Sequence, residues 1–151
     1  MNRRIALKSI ALGTSSLTAL AAAQTAPAPV KIVALETLKK DGDLKQFKWN
    51  GVEALLVRVP APDAKVMDKL LETKAVIQPV KGVFLRSYTL SCTHSGCQID
   101  LPNKDGVMIC PCHDSEFNAV DGSVKAGVAR RPLQALRLEV RGADVFAVAV
   151  L

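Results

Sequence analysis

Six side chains able to bind a metal fall within 22 residues of a 151-residue chain. Cys92-Thr93-His94-Ser95-Gly96-Cys97 is followed by Cys110-Pro111-Cys112-His113-Asp114-Ser115, and together they hold all four cysteines and both histidines. Each stretch mixes the two ligand types: Cys92-x-His94 with Cys97 behind it, Cys110-x-x-His113 with Cys112 inside it. Fifteen residues separate His94 from Cys110. Thiolates and imidazoles at such short spacing suit a transition metal or an iron–sulfur cluster. Two other assignments use the same residues. A structural zinc ion takes two cysteines and two histidines, although its usual spacing pairs like with like. Two plain disulfides would suit an exported protein and leave both histidines without a role.

The two boxes, C-T-H-S-G-C and C-P-C-H-D-S, resemble the signature of Rieske iron–sulfur proteins. The resemblance is strong from Cys92 through Leu133 and weak over the remaining strands. It implies one [2Fe–2S] cluster, with Cys92 and Cys110 on one iron and His94 and His113 on the other. It also implies a disulfide between Cys97 and Cys112. Ser115 matches a family serine whose hydroxyl hydrogen-bonds a bridging sulfide and raises the potential. Two residues on, high-potential members carry a tyrosine bonded to a cysteine ligand; Phe117 stands here and cannot donate, which implies a lower potential. Gly127–Leu133 resembles the proline-rich loop that covers the cluster, with Val128 and Arg130 in place of prolines. Such a loop is less rigid. Arg130 and Arg131 are either steering charges for an acidic redox partner or ordinary solvated residues.

The elements that must position these boxes are mostly strands. Val30–Leu35 is a short apolar run. Gln46–Trp49 and Val52–Val59 flank Asn50-Gly51, a hairpin turn in which both positions tolerate positive φ. Trp49 is expected in the core. The helix expected over Asp63–Thr73 has Asp63 as its cap and Val66, Met67, Leu70 and Leu71 as a core-facing stripe. Val83–Leu90 leads into the first box. Gln98–Leu101 and Val107–Ile109 are read as strands around Asn103-Lys104-Asp105-Gly106, the second running into Cys110. Strands at Glu116–Val120, Ser123–Lys125, Leu136–Val140 and Val145–Val150 complete the pattern. Many short strands with frequent turns indicate an all-β antiparallel sandwich or barrel. The resemblance adds a small cluster-binding subdomain. No internal repeat is visible.

The first residues, Met1-Asn2-Arg3-Arg4-Ile5-Ala6-Leu7-Lys8, precede an uncharged run from Ser9 to Val30 that has small residues at Ala21-Ala22-Ala23. That is the layout of a secretory signal, and Arg3-Arg4 with Leu7 and Lys8 resembles a twin-arginine signal. Twin-arginine export carries folded proteins, as a cluster assembled in the cytoplasm requires. A membrane helix takes about 20 predominantly apolar residues, whereas Ile10–Ala23 is short and contains a glycine, two threonines and two serines. The expectation is therefore a signal over residues 1–23, a linker over 24–29 and a Rieske domain over 30–151. Retention of residues 1–23 as a membrane anchor is the alternative. Location is periplasmic, or on the outer face of the cytoplasmic membrane.

The chain carries 20 basic and 14 acidic residues, a net charge of +6. Three of the basic residues lie in residues 1–23, leaving 17 against 14, or +3. With no aromatic-rich basic surface, nucleic-acid binding is not expected. A ring-hydroxylating oxygenase needs two further histidines and a carboxylate for its mononuclear iron, and both histidines are already used. The expected function is single-electron transfer in a respiratory oxidoreductase, with no substrate chemistry of its own. The partner is a cytochrome or a larger oxidoreductase subunit, with a quinol as a further candidate. The Rieske subunit of quinol–cytochrome c reductases and the small subunit of arsenite oxidase are the two resemblances. A zinc-stabilised or disulfide-stabilised binding module of the envelope is the rival from another class.

Overall fold

In the computed structural model, residues 27–151 are described. The leader expected over residues 1–23 and half of the linker, residues 24–26, lie outside that range. Among the described residues ten strands form three antiparallel sheets. The strands are β1 (Val30–Ala34), β2 (Leu44–Trp49), β3 (Val52–Val59), β4 (Ile77–Val80), β5 (Val83–Thr89), β6 (Val107–Ile109), β7 (Glu116–Asn118), β8 (Val124–Ala126), β9 (Leu136–Arg141) and β10 (Asp144–Val150). Their orders are β1-β10-β9, β2-β3-β5-β4 and β6-β7-β8. A helix, α1 (Ala64–Glu72), lies between β3 and β4.

The four-stranded sheet is the middle layer, and the sequence of β3 shows why. Side chains alternate across a strand. Leu55, Val57 and Val59 enter one core, while Ala54 and Leu56 enter the other. A strand covered on both faces reads as a continuous apolar run rather than an alternating one, which is what Ala54–Val57 shows. One core, with Trp49, Leu85, Leu136, Val145 and Ala147, joins this sheet to β1-β10-β9. The other, with Phe84, Tyr88, Leu90, Ile99, Met108 and Phe117, joins it to the small sheet β6-β7-β8. Cys92 and Cys110 belong to this second core.

The hairpin between β2 and β3 turns as the sequence requires. Trp49 pairs with Val52, and Asn50 and Gly51 have φ of 48° and 83°. Both values lie in the left-handed region that a two-residue hairpin of this hand needs. Asp63 caps α1 by accepting the Lys65 N–H at 2.9 Å.

Two expectations need correction, and one strand lies outside the expected pattern. Val66 is 45% exposed and faces away from the core; only Met67, Leu70 and Leu71 pack against it, half-buried. Gln98–Leu101 is not a strand. Its backbone makes single bonds to different elements: Ile99 N–H to the Leu90 carbonyl, Asp100 N–H to that of Ile109, and a lone bridge between Ser91 and Gln98. The strand outside the expected pattern is β4, which contains Pro79. Proline is tolerated there because β4 is an edge strand.

Candidate metal centre

Strand β5 ends at Thr89 and feeds Cys92; β6 ends at Ile109 and feeds Cys110 directly. The two loops that follow are closed in the same way. The Cys92 carbonyl accepts from Gly96 N–H at 2.7 Å, and Cys92 N–H donates to the Cys97 carbonyl at 2.8 Å. The Cys110 carbonyl accepts from Asp114 N–H at 3.0 Å, and Cys110 N–H donates to the Ser115 carbonyl at 2.9 Å. In both, the residue four places after the cysteine has positive φ: 80° at Gly96 and 51° at Asp114. The sequences conceal this likeness, since histidine falls two residues after Cys92 but three after Cys110.

One turn geometry used twice sorts the ligand types by depth. Cys92 and Cys110 are buried and free, and both belong to the core that contains Met108 and Phe117. His94 and His113 are exposed, and their rings meet edge to face with centroids 4.8 Å apart. Burial pushes the Cys110 thiol above its ordinary pKa; the backbone N–H of Cys112, and more weakly that of His113, act the other way. A disulfide joins Cys97 to Cys112 across the loops, with their Cα atoms 6.5 Å apart. Its sulfurs lie within 4.8 Å of the Cys110 sulfur, but a disulfide offers no thiolate. The free donors are therefore two buried thiols and two exposed imidazoles. That set fits a binuclear centre with sulfur ligands inside and nitrogen ligands outside.

The segment after β8 lies over both loops. Ser115 is fully buried, and its hydroxyl oxygen accepts the Ala129 N–H at 3.1 Å. The Thr93 hydroxyl, between Cys92 and His94, donates to the Arg131 carbonyl at 2.6 Å. Gly127 approaches so closely that a Cβ there would lie 2.5 Å from the Ser115 Cα. Thr93 through its hydroxyl, and Asp114 and Gly127 through their backbones, hold the site together, and their types alone do not advertise those roles. Phe117 is fully buried in the core that contains Cys92 and Cys110. Arg130, Arg131, Pro111 and Pro132 are exposed, and Arg131 and Pro132 border the same cleft as His94. A cleft of about 560 Å³ opens beside His94, bordered by Thr93, Gly96, Arg131 and Gln134.

An antiparallel β fold with paired thiols and imidazoles on two matched loops defines an iron–sulfur electron-transfer protein. The family model for the Rieske [2Fe-2S] domain matches residues 28–137, and the chain belongs to that family. A curated relative, the cytochrome b6-f complex iron-sulfur subunit 2 of Nostoc sp., is 31% identical over 94 residues, 54% of this chain and 52% of the relative. The chain thus spans about half the length of that relative. A putative respiratory nitrate reductase subunit Rieske from Haloferax mediterranei is 39% identical over 41 residues, 27% of this chain and 18% of that protein. Among solved structures, the cyanobacterial plasma membrane Rieske protein PetC3 from Synechocystis PCC 6803 superposes with a TM-score of 0.54 and 25% identity. That match covers 80% of this chain and 99% of the other. The soluble domain of Rieske protein II from Sulfolobus acidocaldarius matches in fold, with a TM-score of 0.54 and 19% identity over 82% of this chain and 78% of that one.

Proposed function

We propose that Cys92 and Cys110 hold one iron of a [2Fe–2S] cluster and His94 and His113 the other. In this reading the chain carries single electrons as an exported subunit of a respiratory oxidoreductase of the quinol–cytochrome c reductase kind. The observation that carries it is the depth ordering: buried thiols beneath two exposed, adjacent imidazoles. When bound, such a cluster supplies a one-electron site with a potential of about −150 to +300 mV. The buried cysteines exclude water from the sulfur side. The exposed imidazoles offer a partner the shortest way in, and their outer nitrogens can exchange protons with solvent. The disulfide and the Ser115 and Thr93 contacts fix the two loops against each other and so hold the geometry through the redox cycle.

Similarity to subunits named for cytochrome b6-f complexes supports the quinol-linked assignment. A second reading, a Rieske subunit of another respiratory oxidoreductase such as an arsenite-oxidase-type enzyme, draws on the short leader, its resemblance to a twin-arginine signal and Phe117. The short match to a subunit named for a nitrate reductase points the same way. Export rests on the leader over residues 1–23, and the location would be the periplasm or the outer membrane face. Among the described residues no helix is long and apolar enough to cross a membrane.

The test is metal and sulfide analysis with EPR-monitored redox titration of protein purified from membrane and periplasmic fractions. Two irons and two sulfides per chain are expected, with a midpoint that falls at alkaline pH and a signal that is lost or altered in His94→Cys and in His113→Cys. Zinc without iron would overturn the assignment in favour of a structural module. The N-terminal residue of the purified chain, read by mass spectrometry, decides between cleavage and a retained anchor.

A further inference from the structure

We propose that a cavity between α1, the end of β3 and the β7–β8 turn binds a small monocarboxylate, with its carboxylate against the guanidinium of Arg86. The cavity has a volume of about 270 Å³ and walls formed by Val59, Pro60, Val66, Leu70 and Val120. Arg86 lies on it and is only 9% exposed. Its Nε–H donates to the Ala75 carbonyl at 3.1 Å and Nη1 to the Val120 carbonyl at 3.3 Å. Those bonds use two of five N–H donors. No ion pair among the described residues includes it.

A buried cation is ordinarily paired with an opposite charge, because carbonyl dipoles alone replace only part of its lost hydration. The register of β5 sharpens the point. Phe84 and Tyr88, two residues to either side of Arg86, share its face and belong to the core beneath α1. An apolar side chain would fit that face at lower cost. The guanidinium instead presents a planar fork suited to two parallel bonds with a carboxylate.

Neither of the two carboxylates that border the cavity forms an ion pair with Arg86, and each has local partners at one oxygen. Asp63 accepts the Lys65 N–H at 2.9 Å, and Asp121 accepts the Ser123 N–H at 2.9 Å and its hydroxyl at 2.6 Å. They leave Arg86 open and disfavour a second negative charge on the ligand. The exposed apolar residues at the mouth, Val66 and Val120, suit a short apolar body. The ligand class is therefore a monoanion with a compact hydrocarbon or aromatic group.

Calorimetric titration of the cluster-loaded protein with benzoate tests this, with benzyl alcohol as the neutral isostere and phthalate as the dianion. Saturable benzoate binding is expected, tighter than either control by roughly tenfold or more, and abolished in Arg86→Gln. Val66→Trp, at an exposed helix position, fills the mouth without touching Arg86 and is expected to abolish binding even if Arg86→Gln fails to fold. Absence of saturable benzoate binding, equal affinity for benzyl alcohol, or unchanged binding in either variant would overturn the proposal.

Discussion

The hydroxyl oxygen of Ser115 accepts the backbone N–H of Ala129 at 3.1 Å, in a place closed to solvent. One contact thereby ties the second cysteine–histidine loop to the segment that covers it. A serine hydroxyl has one proton of its own to donate, and this contact leaves that proton free. A Ser115→Ala variant should show two separable losses. The stranded Ala129 N–H should cost about 1–3 kcal/mol in denaturant unfolding. The midpoint potential should fall on the order of 50 mV, the one-electron equivalent of about 1 kcal/mol. A stability loss with an unmoved midpoint would confine Ser115 to the covering segment.

Gly127 sits on the other side of the same contact. Its φ of 92° is one that L side chains rarely adopt, and an added Cβ would meet the Ser115 Cα at 2.5 Å and the Asp114 carbonyl oxygen at 2.9 Å. Both obstacles are backbone, so nothing can swing aside. Gly127→Ala should destabilise the protein by about 2–4 kcal/mol, combining strain and overpacking. It should also speed loss of iron in the presence of a chelator. Retention of iron at the wild-type rate would show that the segment can lift without consequence.

Asp114 occupies, in the second loop, the position that Gly96 fills in the first. At φ 51° an aspartate is tolerated better than most side chains but still strained. Asp114→Gly should therefore stabilise the protein, by up to about 1 kcal/mol. Removal of a carboxylate adjacent to His113 should also raise the midpoint, by an amount that shrinks as salt is added. Asp114→Asn keeps a residue suited to positive φ and removes only the charge. If Asn and Gly raise the midpoint equally while only Gly adds stability, charge and strain are separated.

Tyr88 gives a pH dependence of known sign. It is buried, donates to the Val120 carbonyl at 3.0 Å and packs its ring on Gly122. Burial holds its phenol far above the ordinary range, with the neighbouring Arg86 charge acting the other way. Between the ordinary phenol pKa of about 10 and the raised folded value, the folded chain binds more protons than the unfolded one. Its contribution is therefore complete below about pH 10 and declines as the pH rises beyond it. Tyr88→Phe should be less stable by about 1 kcal/mol near neutrality, and that gap should close in alkaline urea titrations. A gap independent of pH would mean that Tyr88 ionises without unfolding.

The sequence exposed the parts of this molecule that chemistry fixes locally. Asn50-Gly51 announced its hairpin because few residue pairs accept positive φ twice. The ligand boxes stood out because metal ligation restricts both residue type and spacing. What stayed hidden depends on contacts between distant segments. The likeness of the two loops lies in the N–H four places along that donates to the cysteine carbonyl and the carbonyl five places along that accepts its N–H, not in a shared motif. Gln98–Leu101 has strand-like composition, but its N–H groups find single partners on Leu90 and Ile109 rather than one neighbouring strand. Val66 fits a helical stripe by spacing, yet the sheet beneath α1 is covered without it. Arg86 is turned inward by the register of β5, which places it on the face of Phe84 and Tyr88.

Phe117 allows the sharpest test of how the surroundings set the potential. It is fully buried, pairs with Met108 across β6 and β7, and shares a core with Cys92 and Cys110. Phe117→Tyr adds one oxygen to a close-packed region, which by itself costs about 1–3 kcal/mol. A buried hydroxyl without an acceptor adds further to that cost. A cysteine thiolate in reach would accept the hydroxyl proton, offset part of the loss and stabilise the more negative, reduced state. The expected result is a midpoint raised on the order of 50 mV with a stability loss below the sum of the two penalties. If the hydroxyl finds no sulfur, the midpoint stays where it was and the whole penalty appears in unfolding. Redox titration and urea denaturation on the same preparation distinguish these outcomes, since only donation to a ligand links the two changes.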